Sequence, residues 1–153
     1  MKNRYTGLVV FLFVFTHVNT SAQEALTVPQ FIPVKPLLFS KLPQRSVCRQ
    51  SALEAPFQSA AGDTVKVELS GQVTFHGTIT EKVRQSPVLV SLNLQSLDSS
   101  GAMLHLTRLQ LPGKAPQYKA RLLHPASGDV LVLTRQDDQY LLVKKAQKFI
   151  LPD

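Results

Sequence analysis

In the stretch VELSGQVTFHGTIT, Val67 to Thr80, an imidazole at His76 stands among hydroxyls, and His105 and His124 follow further along the chain. Three histidines raise the question of a metal centre. Zinc needs three or four converging ligands, usually two of them at short spacing on one element. The chain has no HxH, HxxxH or CxxC pair, so no metal and no other cofactor is expected. Nucleophilic chemistry is equally poorly served. A serine nucleophile would need a GxSxG elbow between strand and helix, and no such run occurs. Cys48 is the only cysteine, flanked by Arg45 and Arg49, neighbours of the kind that lower a thiol pKa. It falls in the least regular part of the chain, where a nucleophile is hard to preorganise. Asp137 and Asp138 are adjacent, and adjacent carboxylates in a turn point apart rather than share a proton. A hydrolase using Cys48 or a histidine is therefore the weakest of the readings, and the chain reads as non-catalytic.

Binding chemistry is better represented. Gln72, Thr74, His76 and Thr78 share one parity, and in QYKARLLH the side chains of Lys119 and Arg121 take the solvent-facing parity. A sheet that brought these six together would present hydroxyls, an imidazole and two cations to an anionic or carbonyl-rich partner. Nucleic-acid binding on an open sheet would need exposed aromatics for stacking. Tyr118 and Tyr140 have the inward parity instead, so no nucleic-acid signature is present.

The elements that must position these residues follow from the period. From Val65 to Val83 the odd positions Val65, Val67, Leu69, Val73, Phe75, Ile79 and Val83 are apolar and the even ones polar. Such alternation defines strands with one buried and one solvated face. Gly77 lies on the apolar side, where a missing side chain implies a bend or a closely packed neighbour. Five further runs, SPVLVSLNL, MLHLTRLQL, QYKARLLH, DVLVLTRQ and QYLLVKKAQKFIL, are separated by turn residues. The expectation is an all-β domain over 63–153, an antiparallel meander of six or seven strands forming a curved sheet, small barrel or sandwich. In DVLVLT and YLLV both parities are apolar, which implies that something covers the outer face as well. Pro29, Pro33, Pro36 and Pro43 exclude a long helix ahead of this domain. Residues 23–62 read as a Pro-rich extended arm and connector, and the arm, with Phe31, Ile32, Phe39 and others, is apolar enough to lie partly buried against the body.

The N-terminal residues 1–22 have the order of a cleaved signal peptide: Lys2 and Arg4, an apolar run from Gly7 to about Val18, then small residues ending at Ala22. That run is shorter than the roughly 20 residues of a membrane span. The expected product is exported, periplasmic or extracellular, with no span left after cleavage and no intramolecular disulfide. The net charge of +7 is dispersed, consistent with solubility or with an anionic partner. These features together describe an exported β-domain acting as a binding or accessory interaction module, its partner an unidentified protein or anionic molecule. The alternative is a small β-barrel carrying an apolar ligand. The two differ in the interior, which large side chains fill in the first and a lumen occupies in the second.

Overall fold

Residues 35–99 and 101–146 are described by a computed structural model. The expected signal segment and arm residues 23–34 lie outside them. Eight strands follow one another: β1 (Arg45–Cys48), β2 (Thr64–Ser70), β3 (Val73–Ser86), β4 (Leu89–Ser96), β5 (Met103–Leu109), β6 (Gln117–Leu123), β7 (Asp129–Gln136) and β8 (Gln139–Ala146). Every neighbouring pair is antiparallel, in the order β1-β8-β7-β6-β5-β4-β3-β2. The all-β meander of the sequence is thus the observed fold, curled into a nearly closed barrel. The extra strand is β1. It comes from the segment assigned to arm and connector, where four residues between polar neighbours give no period to read. Its pairing with β8, not any local signal, makes it a strand.

Alternation places the core where the period puts it. Val67, Leu69, Val73, Phe75 and Ile79 are buried, and so are Leu92, Leu94, Leu104, Leu106, Tyr118, Leu122 and Leu133 from the following strands. These side chains fill the interior. Gly77 holds its place because a Cβ there would sit 2.4 Å from the Gln95 carbonyl oxygen and 2.6 Å from Phe75 Cε1. The alternation breaks at one point. A bulge at Thr80 shifts the β3–β4 register, so that Ile79 faces Leu94 while Glu81 faces Asn93. One extra residue exchanges the two faces. Val83, expected inside, is therefore on the outer surface with 38% exposure. Lys82 takes the inward side in its stead.

Each open end of the barrel has its own stopper. After β1 the chain forms a short helix α1 (Gln50–Glu54) and a 3-10 helix (Ala55–Gln58). Pro56 at the start of the 3-10 helix supplies the fixed φ that such a start favours. Leu53 and Phe57 drop from these helices into the core. Lys82, turned inward by the bulge, donates to the carbonyls of Phe57 at 2.8 Å and Ser59 at 2.7 Å.

At the opposite end the arm performs the same task. Its described part, residues 35–44, is not extended throughout: Ser40 N–H bonds to Leu37 O and Leu42 N–H to Phe39 O, closing two turns. Lys144 Nζ gathers the carbonyls of Phe39, Ser40 and Leu42 at 2.8–3.2 Å. Three donors on one ammonium group draw the segment into a curl that proline content alone does not foretell. Phe39 and Leu42 pack against the core, while Leu37 and Leu38 stay 56% and 49% exposed. The buried carboxylate of Asp129 accepts from Phe39 N–H, and Ser127 Oγ accepts from Leu38 N–H at 3.2 Å. The described arm thus covers a barrel end, not the outer faces of β7 and β8.

Candidate binding cleft

The six residues singled out on sequence grounds do not form one cluster. Gln72 lies at the β2–β3 turn, and Thr74, His76 and Thr78 follow it on the outer face of β3. His76 Nδ1 lies 3.5 Å from Asp98 Oδ1. The row through Thr78 crosses Gln95 and Met103 to reach Leu123. Arg121 and Lys119 are two and four residues back along β6, with β4 and β5 between them and β3. Three strand spacings of ~4.8 Å separate the groups by roughly 14 Å around the wall.

Lys119 and Arg121 instead share their rows with a polar ladder. Arg121 pairs with His105, His105 with Asn93, and Asn93 with Glu81, while Lys119 pairs with Thr107 and Thr107 with Ser91. Asn93 Nδ2 donates to Glu81 Oε2 at 2.6 Å, because a carboxylate can only accept. The Asn93 Oδ1 then faces His105 Nδ1 at 2.6 Å, which places the imidazole proton on Nδ1. His105 Nε2 accepts from Thr107 Oγ1 at 3.1 Å, and Ser91 and Gln85 extend the line. The ladder fixes the outer face of β4 and β5 beside the two cations.

Next to that face the barrel wall opens. β6 and β7 are joined by only three pairs, Arg121 to Val132, Leu122 to Leu131 and Leu123 to Val130. The register would next join Ala120 to Leu133 and Lys119 to Thr134, and neither pair is made. The cause is aromatic. Tyr140 on β8 lies edge-on to Tyr118, ring centroids 5.7 Å apart, and its hydroxyl oxygen accepts the Tyr118 N–H at 3.1 Å. A side-chain oxygen thus stands where a β7 carbonyl would continue the ladder. The Tyr118 hydroxyl donates to Glu54, which also accepts from Arg108, and Arg108 lies over the Phe57 ring at 5.0 Å. Burial first, then the hydrogen bond and charge of Glu54, push the Tyr118 phenol above its ordinary range. Both tyrosines are therefore pinned as neutral posts on the same side of the opening.

The result is a cleft of about 640 Å³ between β6 and β7. Tyr118, Ala120, Leu133 and Tyr140 form its apolar floor, and Lys119 and Arg121 stand on its rim. Arg135 lies at the mouth, paired with Asp138. Among the described residues no carboxylate lies within ion-pair distance of Lys119 or Arg121. The arrangement suits an anionic ligand with an apolar portion, since the rim attracts charge and the floor removes carbon from water.

Sequence parity located the two rim cations and both tyrosines correctly but could not show the opening. The available signal was that buried tyrosines need a hydrogen-bond partner for their hydroxyl. Cys48 departs from expectation in two respects. It ends β1 at 4% exposure, and burial pushes its thiol up to about 11 despite the neighbouring arginines. Such a thiol is protonated at neutral pH and is a poor nucleophile. No group of three or more potential metal ligands occurs among the described residues, and no helix among them is long and apolar enough to cross a membrane. Comparison with protein-family models, curated proteins and solved structures returns no match.

Proposed function

We propose that this chain is an exported, non-catalytic binding module whose ligand seats in the β6–β7 cleft. The observation that carries this reading is the ladder that stops after Arg121–Val132, leaving apolar floor beneath two unneutralised cations. Lys119 and Arg121, from the six sequence candidates, supply the rim, and the Thr74–His76–Thr78 face is not part of this site. The alternative of a carrier barrel loses support from the interior, where the core side chains and both stoppers occupy the space a lumen would need. A hydrolase built on Cys48 loses support from the burial of its thiol.

Titration with anilinonaphthalene sulfonate, an anionic aromatic probe, tests the reading. Fluorescence should rise saturably with a salt-dependent midpoint. The double change Lys119→Glu and Arg121→Glu should abolish that rise while near-UV circular dichroism and melting temperature stay as they were. Equal probe binding by the variant at low salt would reject the cleft.

A further inference from the structure

We infer that the cleft takes an extended peptide, added as a strand along β7, with acidic and apolar side chains in alternation. The inference rests on the proposed binding role and names the partner of that site. It follows from where the main chain points. Lys144 N–H bonds to Gln44 O on β1, so the even-numbered residues of β8 turn their main-chain groups to β1 and the odd-numbered ones to β7. The pairs of Val143 with Val132 and Leu141 with Thr134 then carry the β7–β8 hydrogen bonds. In an antiparallel ladder successive residues bond to opposite neighbours. Leu131, Leu133 and Arg135 consequently turn theirs to β6. Leu131 meets Leu122 there, but for Leu133 and Arg135 the β6 ladder has already ended. On the facing strand the Tyr118 N–H is occupied by Tyr140. The free edge is thus the β7 side.

A small anionic amphiphile would satisfy the rim and the floor but leave those main-chain groups unpaired. A peptide strand satisfies all three, as in recognition by strand addition. Its side chains would alternate by the pleat. Those pointing inward would meet Ala120, Tyr118, Leu133 and Tyr140, which calls for valine or isoleucine. Those pointing outward would lie beside Lys119 and Arg121, which calls for glutamate or aspartate. Strand addition at the β1–β2 seam fits less well. There the outward residues of β2 are Lys66 and Glu68, which pair with each other at 3.8 Å, and charged edge residues of both signs discourage pairing.

The test uses a capped Glu-Val-Glu-Val-Glu-Val peptide, its lysine-for-glutamate counterpart, and versions N-methylated at every second residue in either phase. The acidic peptide should bind, slow the amide exchange of Leu133 and Arg135, and lose about ten-fold or more in affinity with Lys119→Glu and Arg121→Glu. One N-methylated phase should fail to bind and the other should bind as the parent does, since only alternate residues bond to β7. Indifference to both N-methylation phases, or binding without protection of Leu133 and Arg135, overturns strand addition. If anilinonaphthalene sulfonate binds in a rim-dependent way while no peptide does, the cleft stands and its ligand is a small anionic molecule. If neither binds, the cleft itself is rejected.

Discussion

Cys48 shows how strongly position outweighs neighbours. Arg45 and Arg49 would stabilise a thiolate in water, yet the side chain of Cys48 points into the core between β1 and the first turn of α1, and desolvation of the charged form dominates. The consequence is a pH dependence of known sign. The folded state holds the thiol proton to about 11, against the model value of 9.0 for an unperturbed cysteine. Between those values the unfolded chain binds fewer protons, so stability is full below about pH 9 and falls as pH rises. Replacing Cys48 with alanine should remove this part of the alkaline slope, worth on the order of 2–3 kcal/mol by pH 11. Chemical denaturation at pH 7, 9 and 11, on both forms, checks it. A slope unchanged by the substitution would place the thiol in water.

Among the elements, β3 carries most of the lesson about what a linear pattern contains. Its first half was readable residue by residue, because each of Val73, Phe75 and Ile79 occupies the face its parity assigns. Gly77 was readable as a close approach, and the structure identifies the neighbour as the Gln95 carbonyl. Alanine at Gly77 should therefore destabilise the protein by ~1–3 kcal/mol through overpacking, measured by urea denaturation. No loss would mean that β4 can move aside there. The second half of β3 was not readable, because a bulge leaves no mark in composition. Thr80 is as good a strand residue as Thr78, and only the pairing with β4 reveals that one of them is surplus. The cleft was hidden for a related reason. Parity gives the direction of each side chain but not where a ladder between two strands ends, and here that end is set by Tyr140, which reaches across from a third strand.

The assembled barrel depends on two stoppers that differ in kind. One is held mainly by apolar insertion, with Leu53 and Phe57 in the core. The other is held mainly by polar contacts, with Asp129, Ser127 and Lys144 bonding to the main chain of the arm. Asp129→Ala should leave Phe39 N–H without its acceptor and destabilise the protein by about 1–3 kcal/mol. Amide exchange should accelerate at Leu38 and Phe39 well before it does at Leu53. Uniform acceleration across both ends would show that they open together. Neither stopper was visible in the sequence as such, since their partners lie nearly the full described chain away.

Both stoppers hang from β1, and β1 pairs with the last strand. The six hairpins from β2 to β8 close loops of a few residues each, whereas joining Arg45 to Val143 closes almost the entire described chain. Loop entropy places that step last. A chain emerging from an export channel amino end first must therefore carry Phe39, Leu53 and Phe57 unsheltered until its final strand has followed. The molecule is least protected at the moment when its N-terminal half has already been delivered.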